Sequence, residues 1–292
     1  MTSCIVALSL LLPAQAQDAH EDLNPIYRDL RQAGLAVGAD APLKLPAPLC
    51  PDGTSDKDQQ ALLKKVVGME FRFDEFTRRS PVAPFRLRLT EVTAGADRSI
   101  VRKIEVVFVA YGDLKVIASK QFLEKVLDVN RKEGKATTLS DEDLKKRGIV
   151  LKDSEHEGVG HLLFNLIEKV QLDATGLSYW SQTPDSIVAA TRIDPRFKDD
   201  PQFPNRWRPL VKGRDGKRTP GKVAYPYEGA GYYVKVTRLE RPKGALFVEG
   251  HVLFNEPRGW FDGTNLLRAK LPPIIQNQVR SFRRKLIKAS GK

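Results

Sequence analysis

The sequence is poor in the residues that make covalent staples and metal centres, with two cysteines, four histidines and two methionines among 292 residues. Cys4 lies in an apolar N-terminal stretch and Cys50 stands alone beyond it, so no internal disulfide framework is available to the folded part. Neither a Gly-x-Ser-x-Gly elbow nor a phosphate-cradling glycine loop ahead of a helix occurs, which leaves acyl, phosphoryl and nucleotide chemistry without support. No later segment approaches the roughly 20 apolar residues of a membrane-spanning helix. There is no repeat of fixed period and no low-complexity tract. Acidic residues vanish toward the end: Gly263 to Lys292 holds eight Lys and Arg and no Asp or Glu.

What is present begins with a leader-like segment. Ile5 to Leu12 is apolar and uncharged, and Pro13 and Ala14-Gln15-Ala16 follow with the small-x-small pattern of a cleavage site. The pattern predicts a secretory signal over residues 1–16, without the usual Lys or Arg at its start, and an exported protein, periplasmic or extracellular. The net charge of +12 lies wholly beyond residue 16 and favours anionic partners, a membrane surface or an acidic polysaccharide. Export argues against nucleic acid.

Residues 17–56 read as an N-terminal helix and a Pro-rich linker. Asn24 caps the helix, Pro25 opens it, Ile26 and Leu30 share a face, and Gly34 ends it. Residues 57–292 read as a single α+β domain. Ser55 or Asp56 caps a helix ended by Gly68, and Ser140 with Asp143 marks another. Alternation at Phe85, Leu87 and Leu89 and the β-branched run over 100–111 predict strands. Helical spacing predicts a helix over 119–130, while 161–173 fits strand or helix equally.

Two hairpins are expected: 177–182 with 187–193 across Thr183-Pro184-Asp185-Ser186, and 232–239 with 246–254. Between them 194–229, with six prolines and four glycines, reads as a long loop. The last helix is expected over about 265–289, with Pro272-Pro273 kinking it or marking its true start.

Several residue groups could carry chemistry. His156-Glu157-Gly158-Val159-Gly160-His161 resembles the His-Glu-x-x-Gly-His run of dipeptidyl peptidase III type metallopeptidases. The resemblance implies His156 and His161 as zinc ligands and Glu157 as base. That family's Glu-Glu-x-x-Ala-Glu segment has no counterpart, since the chain contains no Glu-Glu pair. Two glycines also cost about 1 kcal/mol each inside a helix, so a turn leading into a strand is expected and no metal or cofactor is assigned. Glu249 and His251 share one strand face. Arg206 and Trp207, with Arg196 and Arg208, could bind an anionic or sugar ligand, or Asp194, Asp199 and Asp200 could lace that segment by ion pairs. Arg280, Arg283, Arg284, Lys285 and Lys288 form a basic group suited to an anionic surface.

The element order over about 57–290 is similar to that of START-like helix-grip domains. The likeness implies a curved antiparallel sheet packed on a long C-terminal helix. A cavity between them would be lined by Val252, Phe254, Leu271, Ile275, Val279 and Phe282 and suit a lipid or other hydrophobic ligand. The chain also resembles exported bacterial families of unknown function, which implies no activity. The expected role is a non-enzymatic binding module. An envelope scaffold using the basic helix and a zinc hydrolase are the alternatives, and no oligomeric state is implied.

Overall fold

The computed structural model describes residues 18–37, 41–94, 99–119, 122, 134–227, 229–261 and 265–291. The leader expected over 1–16 and nearly all of the helix expected over 119–130 lie outside these residues. The fold is α+β, with an antiparallel sheet packed against a long C-terminal helix.

Strands β1 (Arg86–Ala94), β2 (Ser99–Tyr111), β3 (Gly134–Thr138), β4 (Glu157–Leu166), β5 (Val170–Gln182), β6 (Ser186–Ile193), β10 (Ala230–Arg238) and β11 (Ala245–Glu256) form the main path in the order β1-β2-β11-β10-β6-β5-β4-β3. Both expected hairpins form. Gln182 pairs with Ile187 in one, and Tyr233 with His251 in the other. The ambiguous 161–173 stretch is two strands joined at Ile167 and Glu168, whose φ values are 51° and 54°. Left-handed backbone at a β-branched residue is disfavoured, so no turn signal marks this corner.

The expected loop over 194–229 is instead largely paired. After a 3₁₀ turn at Pro195–Phe197, β7 (Arg206–Lys212) returns along the first half of β5, and β8 (Arg218–Pro220) and β9 (Tyr225–Pro226) pair with β7. Of its six prolines, Pro209, Pro220 and Pro226 sit on these outlying strands, where a missing N–H costs least, Pro195 opens the 3₁₀ turn, and Pro201 and Pro204 lie in the stretch before β7.

Because side chains alternate along a strand, the register assigns each residue to a face. One face carries Phe108, Val248, Val236 and Ile187 in a cross-strand row, with Ile104, Val252 and Tyr232 in another. The terminal helix grips this face. The other face carries Val107, Glu249, Lys235, Val188 and Ser181 in one row and His251, Tyr233, Ala190 and Tyr179 in the next.

The N-terminal segment covers that second face. Helices α1 (Ala19–Leu23) and α2 (Pro25–Gln32) meet at Asn24, whose side chain accepts from the Tyr27 N–H and donates to the Tyr179 carbonyl, tying the cap to β5. Ile26, Tyr27 and Leu30 are buried against the sheet, and Leu35 bridges Leu43 as the chain turns back. Farther on, α3 (Asp56–Val67), capped by Ser55, buries Leu63, Val66 and Val67 near Phe247. The short helices α4 (Phe73–Phe76), α5 (Leu114–Ile117) and α6 (Asp141–Lys145) follow, the last with the Ser140–Asp143 capping box that its sequence predicts.

Beneath this cover lies a dense polar cluster. Lys235, fully buried, places Nζ 3.0 Å from Asp18 Oδ2 and 2.9 Å from Asp52 Oδ1. Tyr27 donates to Asp18, and Ser186 and Thr183 donate to Asp52. His20 lies between Ser181 and Ser186, with its ring nitrogens 2.7 and 2.6 Å from their hydroxyls. Burial, with help from Lys235 and against Asp52 and Asp18, holds the His20 pKa down near 4. A buried ammonium is tolerated only with its partners, so this cluster couples the chain's start to the middle of the sheet.

Helix α7 (Leu266–Ala289) runs as one element from an Asn265 cap through Pro272 and Pro273. The prolines therefore do not mark its start; they lie in its interior, where each removes one donor from the helix ladder.

Two consequences can be measured. Asp18→Ala leaves Lys235 short of a counter-charge and is expected to cost about 3–5 kcal/mol in urea unfolding, with a smaller loss when paired with Lys235→Met. Neutral burial of His20 means that the unfolded chain binds the extra proton between pH 6.5 and about 4. Stability is present above pH 6.5 and falls by about 3 kcal/mol as pH drops through that window, and His20→Gln flattens the slope.

Candidate ligand-binding site

Helix α7 lays an apolar stripe on the gripped face. Leu271, Val279 and Leu286 are buried, and Ile275 and Phe282 are half-buried. The Phe282 ring sits edge-on to Phe108 and to Phe122, each 5.7 Å away between centroids. Nearer the helix start, Leu271 and Phe254 belong to a cluster around Trp260, with Val252 and Ile275 at its margin. The six residues expected to line a cavity are thus all at the helix–sheet contact, and they pack on one another and their neighbours.

Val279 also borders a recess of about 280 Å³ on one flank of the helix. Gln276, Val279, Arg280 and Arg283 follow a spacing of three, one and three, which puts them on one side of α7. Across from them stand Phe71 and the chain entering β1, with Val82, Pro84 and Phe85 giving apolar walls. The volume lies near the lower end of small-molecule sites, roughly 300 Å³.

Arg283 corrects an expectation. It was placed on an anionic-binding surface with its neighbours, yet it is 2% exposed. Its Nε donates to the Val109 carbonyl at 2.8 Å, Nη2 donates to Pro84 at 2.9 Å, and Nη1 donates to Ala83. The guanidinium lies 5.2 Å from the centre of the Phe108 ring. No carboxylate among the described residues pairs with it, and burial together with Arg78 pulls its pKa down to about 10. A signal existed in the sequence, because Arg283 falls four residues after Val279 and three before Leu286, on the edge of the apolar stripe. Arg284 and Lys288 are exposed as expected, and Arg280 and Lys285 are partly so.

The second group fares differently from its binding expectation. Trp207 is buried, stacked on Tyr225 at 4.7 Å and edge-on to Trp260 at 5.9 Å. Arg206 donates to Asp173 at 2.8 Å, and the same carboxylate lies 2.9 Å from His161 Nε2. Arg196 pairs with Asp194, and Asp200 pairs with Arg147. These contacts favour the ion-pair reading of the segment over an open stacking surface.

His156 and His161 do not converge on a metal. His156 precedes β4 and is 2.9 Å from Asp153, whereas His161 is buried against Thr175, Asp173 and the Phe203 ring. His156 lies in the turn before β4 and His161 within the strand, each held by its own carboxylate, Asp153 and Asp173. Glu249 and His251 do meet, at 3.1 Å, but in the interior: Glu249 accepts from the Leu49 and Cys50 N–H groups and so pins the linker.

Asp18, His20 and Asp52 are the group of metal-ligating side chains brought together among the described residues. Lys235 Nζ already supplies the positive charge there, within hydrogen-bond distance of both carboxylates. A metal ion would have to displace it. Nor can Ser186 and His20 act as nucleophile and base on a substrate, since both are fully buried.

No family model matches the chain, and no curated protein sequence does. Among solved structures the chain is similar to the lipid transfer and protein localization domain of human StarD13 (DLC2), at 9% identity and a TM-score of 0.36, over 78% of this chain and 95% of that one. Human STARD10 gives 12% identity and a TM-score of 0.36, over 82% and 86%. An uncharacterized protein from Rhizobium leguminosarum gives 8% identity and a TM-score of 0.32, over 64% and 97%. Among the described residues no helix is long and apolar enough to cross a membrane.

Truncating Arg283 leaves three carbonyls without their donors, so Arg283→Ala is expected to cost about 2–4 kcal/mol in chemical unfolding. Arg284→Ala, one residue on and exposed, is expected to stay within about 0.5 kcal/mol of the parent.

Proposed function

We propose that this protein is an exported, non-enzymatic binding module for a hydrophobic small molecule, held where the terminal helix meets the sheet. The observation that carries the reading is the recess beside Val279, walled by Phe71, Val82, Pro84 and Phe85. Val82 is 55% exposed at its mouth, so apolar surface remains in water that a ligand would cover. The apolar lining with a few polar groups at one end is the usual composition of a small-molecule site. Export rests on the leader-like residues 1–16.

A scaffold that docks on anionic envelope surfaces is the second reading. It is favoured by the exposed Arg284 and Lys288 near the helix end. Arg283 does not contribute to it, because its charge is turned inward.

Titration of the delipidated protein with phenyl-naphthylamine, a neutral apolar fluorophore, tests the first reading. Saturable enhancement is expected, weakened at least ten-fold by Val82→Glu and unaffected by Ile274→Glu, which changes an exposed side chain on the opposite flank of the helix. Absence of saturable binding, or equal loss in both variants, would sink the recess as the site.

A further inference from the structure

Resting on that reading, we infer that the ligand is an amphiphile with a single oxyanion head, placed so that Arg280, Arg283 and Gln276 receive the head and the apolar walls receive its chain. The recess has two chemically distinct sides. Phe71, Val82, Pro84 and Phe85 give carbon surface, while the α7 side presents two guanidinium groups and an amide.

The charge balance here is unusual. Arg283 is a cation almost wholly removed from water, and no carboxylate among the described residues neutralises it. Its three backbone carbonyls satisfy three donors, and a guanidinium has five, so two N–H groups remain available. Arg280, half-buried three residues earlier, has no ion pair among the described residues. Arg78 adds positive charge near Arg283. Contrast Lys235 and Arg102, also buried cations, of which the first has two carboxylates within 3.0 Å and the second pairs with Glu256 and Glu91. Arg283 thus differs from these paired cations in lining an open recess with no carboxylate partner among the described residues. A planar oxyanion matches the guanidinium fork and forms the shorter, stronger hydrogen bonds of charged partners.

The size of the recess selects among anions. A volume of about 280 Å³ exceeds what a bare anion fills and is too small for a two-chain lipid held entirely inside. Carbon walls would also contribute nothing to a bare anion, whereas they favour each methylene they remove from water. A carboxylate on one medium-length chain satisfies both sides.

Calorimetric titration of the full chain with decanoate, decanol and inorganic phosphate separates the possibilities. Decanoate is expected to bind at least ten-fold more tightly than decanol, and inorganic phosphate much more weakly than either. Arg280→Gln is expected to bring decanoate down to the decanol level while leaving decanol unchanged, and Arg280→Lys to restore part of the preference. Equal affinity of the parent protein for decanoate and decanol overturns the anionic head and leaves the hydrophobic site standing. Phosphate binding as tightly as decanoate overturns the amphiphile in favour of a bare-anion site. If neither decanoate nor decanol binds, the inference and the reading beneath it both fall.

Discussion

The buried ammonium of Lys235 is the constraint around which this molecule is organised. A charge at the centre of a sheet, with no water to solvate it, needs its counter-charges delivered by other parts of the chain. Asp18 comes from the very start of the described chain, and Asp52 from the end of the linker. With Glu249 holding the linker backbone at Leu49 and Cys50, these contacts commit one face of the sheet to the N-terminal segment. The opposite face is then left to the terminal helix.

The two faces are built on different terms. Beneath the N-terminal cover, Tyr27, Ser181, Ser186 and Thr183 all find partners around Asp18, His20 and Asp52. Such a cluster gives specificity of docking and leaves no reactive group accessible. On the gripped face the contacts are apolar and tolerant, and the flank near β1 keeps a space bounded by carbon on one side and guanidinium on the other. Arg283 has a double part there. It clamps the chain at Ala83 and Pro84 onto the helix while holding its charge at the recess.

Much of the architecture was legible in local patterns. Asn24-Pro25, Ser55 and Ser140 are caps whose side chains bond the N–H groups of their own first turn, so their meaning is contained in a few residues. The 240–244 connection and Thr183-Pro184-Asp185 carry turn chemistry in the same local way. The β4–β5 corner escaped because Ile167 and Glu168 take left-handed backbone without glycine or asparagine to announce it. The strands within 194–229 escaped because their pairing partner, the first half of β5, is remote in sequence and their own prolines read as loop.

The candidate site was less legible than the frame. Helical spacing was enough to place Leu271, Ile275, Val279 and Phe282 on the helix–sheet contact, since a 3.6-residue period determines which residues share a side. It could not separate Arg283 from Arg284, or tell that Trp207 is enclosed by Tyr225 and Trp260. Sequence alone therefore determined the caps, the two hairpins and the apolar stripe of the last helix, because those follow from neighbours along the chain. Only the tertiary structure decided which cation is buried with no carboxylate partner among the described residues, which histidines stay apart and where a recess remains. Burial and charge pairing depend on residues that folding brings together across distances the local pattern does not record.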